Sequence, residues 1–343
     1  MGECFISRRG GEVNKLPVLN ENYPEDASVM QSIGGAVGFS ILILEHGRPA
    51  EYTYQWYVNG TAVDGATSAT YIKNTESAGI CTIYCEITNK AGTVTSRIAT
   101  LSVESSMPTY SYNGNVFHVP EDENNVNWNL QFLSSGTFLV DRDVEVDIHL
   151  VGGGGSGGGG WYDGSAAGGG GGGYTNTQKR VTLTAGTQYN IVIGAGGAGG
   201  AGSNGGSTSA FNYSAGGGAC GGMNGGSGGT GGAAGGNAGS GKGADGIYAF
   251  NDSTFQRYGG GGGGGGNGGG RAGGDGGAGG GGKGGEGFSW SMSASGWGIS
   301  GGVNTGGGGG GAGSQAGGNS NGGGVSFGGG AGGSGIVIIR NAR

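Results

Sequence analysis

The sequence predicts an all-β protein in which a sandwich of short strands is followed by a glycine-rich β domain. Three observations predict this fold class. Apolar and polar residues alternate over short segments in the first half of the chain, which is typical of half-buried strands. Of the 98 glycines, 13 precede Val151 and 85 follow it. Short apolar segments with the composition of strands interrupt the glycine runs.

The glycine runs need an explanation, because glycine loses more backbone freedom on folding than any other residue and has no side chain to bury. Strand-like segments at 181–184, 188–193 and 335–340 indicate that the runs are insertions in a β framework. A run such as 259–266 fits an extended helix of the polyproline II type, roughly 25 Å long. We expect several such polyglycine II helices to pack side by side and to bond N–H to C=O between neighbours.

Flexible linkers and collagen are the two other interpretations of the glycine runs. Flexible linkers are commonly rich in glycine and serine, but linkers do not contain segments such as Ile191-Val-Ile193. Collagen requires glycine at every third position together with proline. Here the glycines keep no such register, and the prolines all precede the glycine region, at Pro17, Pro24, Pro49, Pro108 and Pro120.

Charge and composition limit the partners of the chain. The net charge is −7, and the few bases that follow residue 150 are scattered, so we expect no nucleic-acid ligand. The chain has no run of apolar residues long enough to span a membrane, and its first residues lack the apolar segment of a signal peptide. The scattered cysteines (Cys4, Cys81, Cys85 and Cys220) predict neither a disulfide framework nor a zinc site.

The chain order predicts three regions. Residues 1–26 are polar and form an N-terminal arm, either disordered or docking on a larger assembly. Residues 27–104 form the sandwich, because Tyr52 to Val58 and Cys81 to Ile87 each alternate with period two. Residues 105–343 form the glycine-rich domain, with strands at about 128–151, 180–193 and 335–340 that frame the glycine runs.

The sandwich resembles an immunoglobulin-like domain of the kind found in bacterial surface and phage virion proteins. The segments that carry the resemblance are Tyr54-Gln-Trp56-Tyr-Val-Asn-Gly60 and Tyr84-Cys85-Glu-Ile-Thr-Asn89-Lys-Ala-Gly92. The resemblance implies that Trp56 packs in the core against Cys85. It departs from the family in the earlier strand, which contains Phe39-Ser-Ile41-Leu-Ile43 and no cysteine, so the inter-sheet disulfide is absent.

The second half resembles the glycine-rich domain of phage tail and other virion proteins. Strands around Phe138, Ile148 and Ile191 and the closing strand at 335–340 carry this resemblance over about residues 128–343. It is similar, more loosely, to the polyglycine-helix adhesins at the tips of long phage tail fibres. The resemblance implies a virion protein that is made in the host cytoplasm.

Motifs that could carry chemistry are weak. The strand followed by Gly194-Ala-Gly196-Gly-Ala-Gly199 fits a dinucleotide fingerprint, but no helix opens there and the next acid is Asp245. A single copy of a calcium β-roll repeat around Asp245 supplies too few ligands. His46, His118 and His149 fall in separate segments without a nucleophile nearby. We therefore expect no enzyme, no cofactor, no catalytic residue and no metal.

Aromatic inserts in the glycine region are the candidate receptor-binding residues, because rings beside polar groups are typical of glycan and protein sites. The alternative is that each ring belongs to a small core under a loop. The candidates are Trp161, Tyr162, Asp163, Phe211, Tyr213, Tyr248, Phe250, Phe255, Arg257, Tyr258, Trp290 and Trp297.

These features together predict a bacteriophage virion component. The favoured role is a tail or fibre adhesin that attaches to a host cell-surface glycan or protein. The N-terminal region is expected to contact other virion proteins, and a homotrimer is expected by analogy with fibres. The alternative is a head fibre or capsid decoration protein with a mainly structural role.

Overall fold

The structure of the protein is a computed structural model that describes residues 13–31, 34–124, 126–160, 165–200, 202–223, 227–267, 270–289, 296–316 and 327–343. The protein is all-β, as predicted. The described residues contain one short 3-10 helix, η1 (Ala249–Asn251), and no helix that is long and apolar enough to cross a membrane. The chain divides into two compact units, Met1–Met107 with Pro120–Asn127, and Pro108–Val119 with Trp128–Arg343.

Unit 1 contains the alternating segments that predicted the sandwich. Its strands are β1 (Val18–Leu19), β2 (Ala27–Met30), β3 (Ala36–Ser40), β4 (Ile43–Glu45), β5 (Thr53–Val58), β6 (Thr61–Ala62), β7 (Thr70–Asn74), β8 (Gly79–Asn89), β9 (Gly92–Thr95) and β10 (Ala99–Glu104). A six-stranded sheet has the order β2-β10-β8-β5-β6, with β9 paired to β8, while β3 pairs with β7 and β1 with β4.

The core of unit 1 is made of side chains, and Trp56 lies within it. Trp56 and Cys85 are fully buried and stand opposite each other in the β5–β8 register, which confirms that both belong to the core. The indole Nε1 donates to the Ser68 carbonyl at 2.8 Å. The strand β1, which belongs to the predicted arm, pairs with β4 in this unit. The predicted docking of the arm on other proteins stays a prediction.

Unit 2 is built on two sheets that begin and end the glycine region. Its strands are β11 (Tyr110–Tyr112), β12 (Val116–Pro120), β13 (Trp128–Phe132), β14 (Gly136–Val140), β15 (Val144–Val151), β16 (Thr175–Leu183), β17 (Tyr189–Ile191), β18 (Thr208–Ala210), β19 (Tyr213–Ala215), β20 (Ile247–Tyr248), β21 (Arg257–Tyr258), β22 (Phe288–Ser289), β23 (Gln315–Ala316) and β24 (Ile336–Asn341). The larger sheet has the order β12-β13-β24-β15-β16, and the smaller one β11-β14-β17.

The C-terminal strand β24 lies in the middle of the larger sheet, between β13 and β15. It is antiparallel to both, and its residues Ile336 to Ile339 are buried. The glycine runs therefore leave the sheet from the end of β15 and return to it through β24. This arrangement confirms that a β framework encloses the glycine runs.

The glycine runs form a lattice in which hydrogen bonds rotate with a period of three residues. Along residues 152–160, the N–H groups of Gly152, Gly155 and Gly158 donate to residues 174, 171 and 168 of one neighbouring run. The N–H groups at 153 and 156 donate to a second run, at residues 206 and 203, and those at 154, 157 and 160 donate to a third, at residues 333, 330 and 327. Three residues per turn is the geometry of polyglycine II helices.

The run 168–174 shows how the lattice is packed. Its N–H groups donate to the runs 216–222, 233–236 and 306–309, and its carbonyls accept from the runs 152–158 and 229–232 and from Gly262. It is thus bonded to six neighbours, and its glycines 168–173 are buried. Backbone amides fill this interior. A Cβ on Gly170 would lie 2.6 Å from the Gly155 carbonyl carbon, so the close packing requires glycine.

Candidate functional site

The lattice has two ends, and the turns between its runs collect at them. At the strand end, next to the sheet, the Gly152 N–H donates to the Tyr174 carbonyl at 2.9 Å. At the far end, the Gly158 N–H donates to the Gly168 carbonyl at 2.9 Å. The chain runs from β15 to the far end and back to β16 between these two bonds. Each described candidate residue can therefore be assigned to one end.

The far end is built from backbone bonds that join the last residues of several runs. The Gly160 N–H donates to Phe327 at 3.0 Å, the Ala167 N–H to Ala312 at 2.9 Å, and the Gly287 N–H to Arg271 at 2.9 Å. Because these bonds lie at the same level of the lattice, the described turns that connect the runs lie close to one another there. This surface, which includes Asn267, Arg271 and Trp297, is the far-end surface.

Trp297 is the described candidate that presents the largest aromatic area to solvent. It is 55% exposed. Its ring meets the buried Phe327 edge to face, with the ring centroids 6.2 Å apart. A Cβ on Gly328 would lie 2.9 Å from the Trp297 Cζ3 atom. The indole can therefore occupy this position only because residue 328 is a glycine. The ring is fixed along one side and open on the other, which suits a contact residue.

Four candidates, Trp161, Tyr162, Asp163 and Trp290, lie outside the described residues. The described residue that precedes the first three, Gly160, is at the far end. On the described side that follows Trp290, Gly296 accepts a hydrogen bond from Gly313, also toward the far end. The predictions for these four residues stay predictions.

Three candidates are buried at the strand end, which corrects their assignment as receptor contacts. Phe250 is 4% exposed and Tyr258 1% exposed, and both pack against Val151, Ile336 and Ile338. Phe211 is 5% exposed and lies 6.1 Å from Phe138 and 5.3 Å from Tyr189, ring to ring. The apolar sheet needs a cover at this end of the lattice, and these rings provide it. These rings belong to small cores under loops, which is the alternative that the sequence analysis gives for the aromatic inserts.

The remaining candidates at the strand end are half-buried. The Arg257 guanidinium lies 4.5 Å from the centroid of the Tyr248 ring, and its Nη1 donates to the Gly246 carbonyl at 3.1 Å. Phe255 packs against Phe250, with ring centroids 5.3 Å apart. Tyr213 is in the short strand β19, also half-buried. Arg257 and Phe255 are thus engaged within the chain.

Ionisable groups that are buried near residues 247–258 are absent from the candidates predicted from the sequence. Arg340 is 4% exposed; its Nε lies 3.3 Å from Asp147 Oδ2 and its Nη1 3.3 Å from Asp252 Oδ2. His149 is fully buried, and its Nδ1 lies 2.7 Å from Thr177 Oγ1. Burial lowers the pKa of His149 to about 4. One sequence pattern could have predicted these buried groups: Asp147 and His149 stand two residues apart in the otherwise apolar strand β15, so they lie on the same face of it.

The described residues contain no group of three or more His, Cys, Asp or Glu side chains placed to hold a metal ion. The site therefore consists of side chains on the turns of a backbone lattice. What this arrangement can do chemically is to offer an aromatic surface, at Trp297, together with the polar side chains Asn267 and Arg271.

Comparison with protein families finds one family model that matches this chain. The family model described as "Glycine-rich domain" matches residues 133–342. No curated protein matches the sequence. Among solved structures, the chain is similar to a quinonprotein alcohol dehydrogenase-like protein from Bacteroides thetaiotaomicron VPI-5482, at 20% identity and a TM-score of 0.22. That match covers 34% of this chain and 24% of the other, so this chain spans about a quarter of that protein.

The expectation that the chain is not an enzyme is corrected here, because one solved structure to which it is similar is named as a quinonprotein alcohol dehydrogenase-like protein. The exclusion is withdrawn. At a TM-score of 0.22 the match carries no argument about the activity of this chain. The family match is of a different kind, since it extends over the lattice and the strands that frame it. Because residues 133–342 make up more than half of the 343 residues, the chain belongs to the glycine-rich domain family.

Proposed function

We propose that the chain is a phage virion protein, a tail or fibre adhesin whose far-end surface contacts the host cell. In this proposal unit 1 is an immunoglobulin-like domain, and the N-terminal region attaches the protein to other virion proteins. The protein is made in the host cytoplasm and acts as a homotrimer. The ligand is a glycan or protein of the host cell surface.

The observation that carries the proposal is that the glycine lattice forms the rigid framework, whereas the side chains able to contact a ligand lie on its turns. The interior of the lattice is mostly backbone, with small buried side chains such as those of Ser156, Ala167 and Ala312, so it offers a ligand no large side chain. Side chains with recognition chemistry lie on the turns, and the turns of several runs meet at the far end. A rigid framework that carries variable turns is the arrangement common to binding proteins. Trp297, 55% exposed beside Gly328, is the ring there that a receptor can reach.

Unit 1 supports the immunoglobulin-like part of the proposal through its core. Trp56 of β5 faces Cys85 of β8 across one strand pair, and both side chains are buried. These are the positions on which the sequence resemblance depends. Such domains are common spacers in surface and virion proteins, which agrees with a unit that links the lattice to a particle.

The test is host-cell binding by the purified full chain, measured by flow cytometry on cells of the host. Replacing Trp297 with serine should reduce binding by at least about tenfold, because a central aromatic contact is typically a hot spot. The matched control is Tyr248→Ser, a half-buried ring at the strand end, which should leave binding unchanged. Circular dichroism should show both variants folded.

Location on the particle separates this proposal from the alternative. Immunogold labelling of unit 1 should place the protein at the tail or at a fibre tip. Label distributed over the capsid, together with purified protein that binds no host cells, would replace the adhesin by a head fibre or decoration protein. Equal binding by the parent and by Trp297→Ser would remove Trp297 from the site.

A further inference from the structure

The hairpin formed by β20, η1 and β21, residues 247–258, covers one face of the larger sheet of unit 2. Its tip has an unusual backbone. Phe250 has φ 55° and Asn251 has φ 57°, so two consecutive residues other than glycine are left-handed. This region is unfavourable for a bulky side chain such as phenylalanine. The hairpin therefore keeps this conformation only while its surroundings hold it.

Arg340 holds the tip from one side. Its guanidinium carbon lies 4.3 Å from the centroid of the Phe250 ring and 5.6 Å from that of Phe255. The same guanidinium reaches Asp252 of the hairpin at 3.3 Å and Asp147 of β15 at 3.3 Å. One buried cation thus links the hairpin to the sheet through two rings and two carboxylates.

His149 lies under the hairpin, on the same face of β15 as Asp147. Its ring centroid is 5.6 Å from that of Phe250 and 6.1 Å from that of Tyr258. The ring is fully buried, and its Nε2 has no hydrogen-bond partner among the residues that the structure describes. The other nitrogen, Nδ1, lies within hydrogen-bond distance of the Thr177 hydroxyl. The imidazole is therefore suited to this place as a neutral ring.

A proton on Nε2 would meet no acceptor there. The charged and titratable groups on the elements packed around the ring are Asp147 of β15, Arg340 of β24, Asp252 next to η1, and the phenol of Tyr258. Both oxygens of Asp147 are already engaged, one by Arg340 Nε and the other by the Arg180 backbone N–H at 3.1 Å. Imidazolium would add a second buried cation against the Phe250 ring, which Arg340 already contacts. A buried charge without a partner is strongly unfavourable.

We propose that the hairpin 247–258 is an acid-released latch, closed over His149 while that ring is neutral and opened when the ring takes up a proton. Opening relieves the left-handed backbone at the tip and exposes Phe250 and Tyr258. The device adds to the proposed function and is independent of it, since it lies at the strand end of the lattice.

The direction and size of the effect follow from linkage. In the closed state burial lowers the pKa of His149 to about 4. In an open, hydrated hairpin the ordinary value of about 6.5 returns. The open state therefore binds the proton more tightly, by a factor of about 300. The ratio of open to closed hairpins should rise by about 80-fold as the pH falls from about 6.5 to 4, and it approaches the full factor of about 300 only below pH 4.

Hydrogen exchange on the full chain tests the latch. The protection factors of peptides from 247–258, corrected for intrinsic exchange rates, should fall by at least about tenfold between pH 7.5 and pH 4.5. Peptides from the lattice run 306–314 serve as an internal control and should keep theirs. The His149 Cε1–H resonance, followed by NMR, should titrate together with the exchange change. Unchanged protection of 247–258 at the lower pH would overturn the proposal.

Variants identify the titrating group. His149→Gln should abolish the acid response, whereas His46→Gln, at an exposed histidine of unit 1, should keep it. An acid response that survives in His149→Gln would assign it to another group and overturn the proposal. If His149→Gln opens the hairpin at neutral pH, the NMR titration of the unmodified protein decides: a His149 pKa near 6.5 in a closed hairpin would refute the latch.

Discussion

Unit 1 and the glycine lattice bury different parts of the same polymer. In unit 1 the interior is made of side chains such as Trp56, Ile83 and Leu101, and the backbone amides are satisfied within strands. In the lattice the interior is the amide groups themselves, bonded to as many as six neighbours around one run. Close packing and satisfied polar groups are common to both.

This difference determines which kind of substitution destabilises each interior. A side-chain core fails when atoms are removed, because a cavity remains and apolar contacts are lost. A backbone core fails when atoms are added, because no space separates the runs. Glycine is costly in chain entropy, and the lattice offsets that cost through an unusual density of hydrogen bonds and contacts. Substitutions of opposite kinds therefore test the two units.

The largest effect is expected from removing atoms in unit 1. Trp56 is fully buried, so Trp56→Ala should lower the free energy of unfolding by about 3–5 kcal/mol, measured by denaturant titration. Ile80→Ala is the control, since Ile80 is 74% exposed and its loss should change stability by less than about 0.5 kcal/mol. Equal effects of the two substitutions would show that Trp56 is not in the core.

Adding one carbon to the lattice comes next. A Cβ on Gly262 would lie 2.5 Å from the Gly309 carbonyl carbon, and one on Gly308 would lie 2.6 Å from that of Gly170. Gly262→Ala or Gly308→Ala should therefore cost about 1–3 kcal/mol, as overpacking does. Calorimetry of the full chain measures the change in the melting of unit 2.

Gly216→Ala is the matched control for these substitutions. Gly216 is exposed, and its added Cβ would meet only the Tyr174 ring at an ordinary 3.5 Å. This variant should be neutral or more stable by up to about 1 kcal/mol, because alanine restricts the unfolded chain. If Gly262→Ala and Gly216→Ala melt alike, the runs behave as linkers and the backbone core is refuted.

The smallest effect is expected from a surface charge of unit 1. The Arg97 side chain hydrogen-bonds Asp26 and lowers the pKa of that carboxyl. A lowered pKa means that the ionised form stabilises the fold above the unfolded pKa of about 3.9, and that this stability is lost as the pH falls through the folded value. Asp26→Asn should thus lower the melting temperature of unit 1 slightly at neutral pH, an effect that salt weakens.

The same substitution sharpens the comparison between the units. At pH 2 to 3 the melting temperatures of Asp26→Asn and the parent should converge. The transition of unit 2 should be the same in Asp26→Asn and in the parent at each pH, because Asp26 belongs to unit 1. A lattice transition that moves with Asp26→Asn would show that the two units do not unfold separately.

Much of the fold could be predicted from local pattern. The period-two segments became β5, β8 and β15, and the apolar end of the chain became the central strand β24. The strand β16 was harder, because Thr175 to Leu183 is mostly polar and lies at the edge of its sheet. An edge strand needs only one buried side, which weakens the signal in the sequence.

The division of the candidate residues between the two ends could not be predicted. A glycine run contains no information on which neighbour it will contact, because all its residues are alike. Phe211, Phe250 and Tyr258 are therefore typical loop aromatics in the sequence. Their burial depends on contacts with Phe138, Val151 and Ile338, which lie far away along the chain.

The three-residue period also determines where unit 2 can vary. In the surface run 281–287 the two charged residues, Lys283 and Glu286, stand three apart and are exposed, whereas positions 282, 284, 285 and 287 are buried glycines. Such a run accepts a side chain at one position per turn, while its turns accept any length of insertion that does not enter the lattice. Most substitutions and insertions that the fold tolerates are therefore expected in the turns. Lineages of this protein can change the side chains on its turns while the backbone core beneath stays unaltered.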